Sequence, residues 1–247
     1  MLRLGVNIDH VATLRQQREE GYPSLVDAAR VCLESGAHQI TIHLREDRRH
    51  IQDTDVGAIK LVTERYGRPL NLEMGCADEI IEVAIATEPD WICLVPEKRE
   101  EKTTEGGLDL NSEQNFNKIE QTVNLLKDAL PKTKISLFVE ANENILKKCL
   151  QLSIDAVEIH TGDYARAILH GNDTKVFLDQ FIKAKDLIKE KKIGFHAGHG
   201  LTDKSLAPLV KANIFEEYNI GHWIICQALF EGLPAVVKNL LKIMNQG

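Results

Sequence analysis

The sequence predicts an α/β protein, a single (β/α)8 TIM barrel with extra helices, on three observations. Eight strand-like apolar runs alternate with segments that read as helices, which specifies a parallel sheet with crossover helices and allows closure. The length of 247 residues matches the roughly 250 typical of such barrels folded as one unit, so residues 1–247 are expected to form one domain. Six of the runs end on a His, a carboxylate or a Gly-rich turn: GVNIDH, ITIHLR, LNLE, AVEIHTG, FHAGHG and YNIGH. A buried parallel strand is a short apolar segment. Polar groups recurring at the carboxyl ends of successive strands therefore mark one face of a barrel, the face that carries an active site.

Strands are expected near residues 3–8, 39–43, 70–73, 91–95, 134–139, 156–160, 193–197 and 217–220. After the first, which is read as carrying Asn7 and Asp9, Pro23 opens the helix YPSLVDAARVCLESG. Leu25, Val26, Ala29, Cys32 and Leu33 share a face there before Gly36 closes it. The fourth strand runs into PEKREEKTTEGGLDL, a long segment whose place at the catalytic face favours an active-site lid over a solvated charged loop. Next comes a helix from Asn111 to Leu130, begun by an Asn-Ser cap, with Phe116, Ile119, Val123 and Leu126 at helical spacing, and stopped before Pro131. DYARAILHG, residues 163–171, reads as an extra helix after the sixth strand. Residues 174–192 read as an outer helix with Val176, Phe177, Phe181, Ala184 and Ile188 inward. Beyond the eighth strand two helices are divided at Gly232 and Pro234.

The composition excludes several function classes. No apolar run approaches the roughly 18 residues that span a membrane, and MLRLGVNIDH lacks the regions of a signal peptide, so the expected location is the cytoplasm. Cys32, Cys76, Cys93, Cys149 and Cys226 are odd in number and contain no CxxC pair. That argues against a disulfide framework and a thiolate metal site. A formal charge of −7 opposes nonspecific binding to nucleic acid or anionic membrane. Local basic clusters remain, one of Arg45, Arg48, Arg49 and His50 and one of Arg15 and Arg18.

The strand ends supply the candidate chemistry. Gly198 and Gly200 around His199, and Gly221 before His222, follow the last two strands, where barrels bind phosphate through backbone amides; ordinary turn glycines are the alternative. His43 and Arg45 alternate onto one side of the second strand, and with His50 they offer a second anion site. Arg48 and Arg49 can instead pair with Glu46 and Asp47. Glu73, Glu140, Glu158 and His160 lie at strand ends, where burial and neighbouring charge tune carboxylates for proton transfer. Asn7 and Asp9 either orient a substrate, or Asp9 fixes the His10 tautomer. An HxH pair on the first strand, HExxH and GxSxG are all absent. Neither a catalytic metal nor a serine nucleophile is expected.

Together NIDHVATLR, TIHLREDRRHI, NLEM, LVPEKR, TTEGGLD, EIHTG, AGHGL and NIGH, in this order from Gly5 to about Gly232, resemble the pyridoxine 5′-phosphate synthase family of vitamin B6 biosynthesis. The resemblance implies a cofactor-free and metal-free octameric barrel enzyme. Such an enzyme condenses 3-amino-2-oxopropyl phosphate with 1-deoxy-D-xylulose 5-phosphate, releasing phosphate and water as the pyridine ring closes. It implies His43 and Glu73 as general acid–base groups, His199 as a later proton donor and Glu158 as stabiliser of a charged intermediate. Asn7, Arg18, Gly200, Gly221 and His222 would hold the amino ketone, with Arg18 reaching across a subunit interface. Asp9, His10, Arg45, His50 and Thr103 would hold the pentulose phosphate. The residue before AGHGL, expected to be Asn, is His196 here, which leaves the local hydrogen bonding open. Other readings are a sugar-phosphate isomerase or aldolase on the same fold, and a noncatalytic sensor of a phosphorylated metabolite; the latter leaves His43, Glu73 and Glu158 without a role.

Overall fold

A computed structural model describes residues 2–18, 20–97 and 106–246. Eight parallel strands close into a barrel in sequence order: β1 (Arg3–Asn7), β2 (Gln39–Leu44), β3 (Leu70–Met74), β4 (Trp91–Leu94), β5 (Lys134–Val139), β6 (Ala156–His160), β7 (Gly194–Gly198) and β8 (Glu217–Ile220). Closure is made by β1 pairing with β8, with Gly5 opposite Asn219. Each strand falls within a residue or two of its predicted run.

Eleven helices surround the barrel among the described residues. Eight are crossovers or the closing helix: α2 (Leu25–Glu34), α3 (Asp53–Arg65), α4 (Asp78–Thr87), α5 (Glu113–Ala129), α6 (Glu143–Cys149), α8 (Lys175–Ile188), α9 (Asp203–Lys211) and α11 (Leu233–Met244). Three are additions at the carboxyl ends of strands: α1 (Asp9–Gln16) after β1, α7 (Gly162–Leu169) after β6 and α10 (His222–Glu231) after β8. The latter two were predicted.

The first was not, and its presence corrects the reading of Asp9, which opens α1 and does not belong to β1. Pro23 likewise precedes the helix, whose cap is Ser24, with Oγ accepting from the Asp27 N–H. The Asn-Ser cap resolves to Ser112, which accepts from Asn115. Val26 and Val176, read as inward, are 42% and 57% exposed; the rest of their stripes pack on the barrel.

The core lies between strands and helices. Leu4 and Val6 on β1, Ile40, Ile42 and Leu44 on β2, Leu70 and Leu72 on β3, and Val157 and Ile159 on β6 are fully buried there. On α11, Val236, Val237, Leu240 and Met244 face this layer; burying each side chain contributes about 1.5–3 kcal/mol. With alternate residues turned outward, the others point to the axis, and their carboxyl-terminal members form the mouth.

Candidate active site

One side of the mouth is built by β1 to β4. Asp9 Oδ1 accepts from the His43 backbone N–H at 2.8 Å and Oδ2 accepts from Asn7 Nδ2 at 2.8 Å, while the Asp9 N–H returns a bond to Asn7 Oδ1 at 3.0 Å. Asp9 thus anchors the end of β2. It does not fix the His10 tautomer, because His10 Nδ1 is buried without a partner among the described residues. His43 and Glu73 are register neighbours on β2 and β3, and with Asp9 they bring ligating atoms within 4.8 Å of one another.

His43 Nε2 lies 3.1 Å from Glu97 Oε1. A carboxylate only accepts, so Nε2 carries the proton of this bond. Glu97 also accepts from the N–H groups of Gly75 at 3.0 Å and Glu46 at 2.9 Å. Burial pushes its carboxyl up, but the His43 bond and charge and these two amides outweigh that and hold it below the ordinary range. Glu73 goes the other way: burial first, then the Glu158 and Asp9 charges, raise it well above the ordinary value. It is suited to carry a proton at neutral pH.

The other side comes from β5 to β8. His160 Nδ1 donates to Glu140 Oε1 at 2.8 Å, and its ring lies 5.0 Å from that of His199. His199 occupies the left-handed region at φ 73°, a strained turn for a side-chain-bearing residue. Burial, reinforced by His160 and Arg166, pushes its pKa down to about 4, so the ring is neutral at pH 7. Glu158 sits deeper, within β6, and burial and the Glu217 charge raise it to about 8. Glu140 is half exposed and is held by His160 and the Gly107 N–H at 3.2 Å.

Two groups of hydrogen-bond donors flank these residues. α7 and α10 both begin on glycine-rich turns with no side-chain cap, after Thr161 and Gly221, which leaves backbone N–H groups directed at the mouth. Gly221 lies against Asn7, where a Cβ would come 2.9 Å from the Asn7 side chain. Gly200, at φ +75°, and His222 complete this rim, and the His222 ring packs on His10 at 4.8 Å.

The second group lies at the end of β2. Arg45 is buried, with Nε 3.4 Å from Asp47 Oδ1, and His50 lies 6.1 Å from His43 between ring centres. Against the upward push of burial, the bonds from Arg49 and the Arg45 charge hold Asp47 at about 2. Arg48 pairs with Asp53 and Glu79, and Arg49 with Asp47, so these two arginines belong to the surface network. Arg15, from the other basic cluster, is bonded in fork fashion to Asp55 at 2.7 and 2.8 Å. Arg18, just past α1, is exposed.

Thr103 and most of the expected lid lie outside the described residues. Among the described residues, Asp9, His43 and Glu73 are a set whose ligating atoms could approach a metal ion; Asp9 bonds to Asn7 and β2, and His43 Nε2 to Glu97. Sequence reasoning assigned no role to Glu97, although it stands three residues past β4 inside the quoted string LVPEKR. His196 also finds its place at the barrel floor, with Nε2 3.2 Å from Arg3 Nη2 and its ring edge-on to Trp91 at 5.4 Å.

A (β/α)8 barrel with histidines and carboxylates gathered at the carboxyl-end mouth is the class of protein that the fold and this geometry define. Solved structures agree on the fold: thiamine phosphate pyrophosphorylase from Pyrococcus furiosus matches with a TM-score of 0.62 at 15% identity, covering 99% of this chain and 96% of that one. Tryptophan synthase from M. tuberculosis matches at 0.66 and 12% identity, covering 98% and 92%. The family model described as pyridoxal phosphate biosynthesis protein PdxJ matches residues 4–246, and the chain belongs to this family. Proteins named pyridoxine 5′-phosphate synthase from Sulfurihydrogenibium sp. (strain YO3AOP1) and Aquifex aeolicus are each 42% identical to it. The first match covers 98% of both chains, the second 99% of this chain and all of the relative.

Proposed function

We propose that this protein is a pyridoxine 5′-phosphate synthase, which joins 3-amino-2-oxopropyl phosphate to 1-deoxy-D-xylulose 5-phosphate and releases phosphate and water as the pyridine ring closes. The observation that carries the reading is the convergence of His43, Glu73, Asp9 and Glu97 at one end of the barrel. Amine attack on a ketone, dehydration, phosphate elimination and ring closure each move protons, so the site needs groups poised on both sides of neutrality. Glu73 and Glu158, held protonated, are donors; neutral His199 is an acceptor at the start of the cycle, and His43 exchanges protons beside Glu97.

Asn7, Arg18, Gly200, Gly221 and His222 are assigned to the amino ketone and Asp9, His10, Arg45, His50 and Thr103 to the pentulose phosphate. The uncapped α10 amides and buried Arg45 support the division. A homo-octamer in which Arg18 enters a neighbour's site accords with its exposure, and with that of Leu14 on α1 and Phe230 on the adjoining α10. The free cysteines and the lack of any membrane-crossing helix among the described residues accord with a cytoplasmic enzyme. The test is turnover: with both phosphorylated ketones present, inorganic phosphate and pyridine absorbance rise together, and chelator leaves the rate unchanged. Failure to form a pyridine would reject the assignment.

A further inference from the structure

Beneath the mouth the inward face of the barrel is polar, and its side chains form one connected column. At the floor, Arg3 Nε donates to Glu217 Oε2 at 2.8 Å, while Arg3 Nη2 lies 3.2 Å from His196 Nε2. A guanidinium only donates, so His196 Nε2 accepts and its ring proton sits on Nδ1, 3.4 Å from Glu217 Oε1. Above this, Asn219 Oδ1 accepts from Thr41 Oγ1 at 3.1 Å and from Gln39 Nε2 at 3.3 Å. Those two donors fix the amide orientation and aim Asn219 Nδ2 at two carboxylates, Glu158 Oε2 at 2.7 Å and Glu217 Oε1 at 3.3 Å. Asn219 and Glu158 fill the space over two glycines: a Cβ on Gly5 would strike Asn219 Oδ1, and one on Gly198 would strike Glu158 Oε1.

One amide therefore joins an ion-paired carboxylate at the floor to a second carboxylate below the mouth. Both are buried, Glu217 at 2% and Glu158 at 3% exposure. Two carboxylates in such a space do not both ionise without a large cost. Arg3 and His196 stand on the Glu217 side, so Glu217 keeps the negative charge and Glu158 the proton. Because Asn219 donates to Oε2, that proton belongs on Oε1, the oxygen beside Gly198 at the foot of the His199 turn.

We propose that Arg3, Glu217 and Asn219 are positioning residues, a column raised from the barrel floor that orients Glu158 and assigns its proton to the oxygen beside Gly198. The other titratable groups facing Glu158 are Glu73 from β3, Cys93 from β4 and His196 from β7. Burial holds the Cys93 thiol neutral, and Glu73 is itself raised, so Glu217 is the anion that sets the local charge. The consequence for turnover rests on the function proposed above; the location of the proton does not.

The experiment is an infrared titration of the ligand-free protein, following the C=O stretch of protonated carboxyl groups, with Glu158→Gln identifying the band. The wild-type band is expected to titrate near pH 8, where the burial of Glu158 and the Glu217 charge place it. Glu217→Gln moves the midpoint down by about one pH unit or more. Arg3→Gln, a change at a partly exposed floor position that leaves Glu217 uncompensated, moves it up, and Arg3→Lys restores it. Opposite shifts establish the column, and where one variant fails to fold the other alone still tests it by the sign of its shift. Midpoints unmoved in the variants, or moved in the same direction, overturn it. In the turnover assay the alkaline limb of kcat moves with the infrared midpoint while both KM values change by less than about threefold. A midpoint that moves without the limb leaves the proton where the column puts it and removes Glu158 from the reaction.

Discussion

At the residue scale, Glu97 is the clearest addition to the expected site. It orients His43 and ties together the ends of β2, β3 and β4, so Glu97→Gln should lower kcat by about tenfold or more through loss of the charged partner. Steady-state kinetics alongside thermal melting checks this, and an unchanged kcat in a folded variant removes Glu97 from the mechanism. Arg45→Ala should raise KM for the pentulose phosphate far more than for the amino ketone, and equal effects would reject two separate seats. Asn7, His43, Glu73 and His199 could be picked out because each lies at or just beyond the end of a strand-like run, whereas Glu158, expected at a strand end, sits in the middle of β6. Glu97 could not be, because its role depends on a reach from the end of β4 to β2 that no local pattern encodes.

At the element scale, the eight strands were readable as apolar runs because their outward residues pack under helices. Their inward residues, Gln39, Thr41, Asn71, Glu217 and Asn219, alternate with that apolar set, and all five are buried. Period-two alternation was present in the sequence, but a parallel strand covered on both faces is ordinarily apolar throughout, and that expectation hid the polar interior. α1 escaped notice for a related reason: DHVATLRQ has a weak apolar face, and Ile8 before it can supply no side-chain cap. Gly198→Ala is a prediction at this scale. Its Cβ would press on the Glu158 carboxyl, so the variant should lose about 1–3 kcal/mol in a denaturant titration; a stability equal to wild type would mean the column can yield.

At the scale of the whole molecule, the buried site makes stability depend on pH from both sides. Glu158 has an ordinary pKa of 4.5 and a folded value of about 8, so its contribution is full below 4.5 and is lost as pH rises through 8. His199 has an ordinary pKa of 6.5 and a folded value of about 4, so the folded state loses stability as pH falls from 6.5 to 4. Melting temperature should therefore decline from pH 6.5 to 8, and Glu158→Gln should flatten that decline. A variant that melts with the wild-type pH profile would show that Glu158 does not carry the proton. The central claim is that the groups converging at the mouth perform acid–base chemistry on two phosphorylated ketones, and the most direct measurement is kcat for Glu73→Gln, compared with wild type at matched melting temperature. The account predicts a loss of about a hundredfold or more in coupled phosphate and pyridine formation, and a folded Glu73→Gln enzyme turning over at the wild-type rate would contradict it.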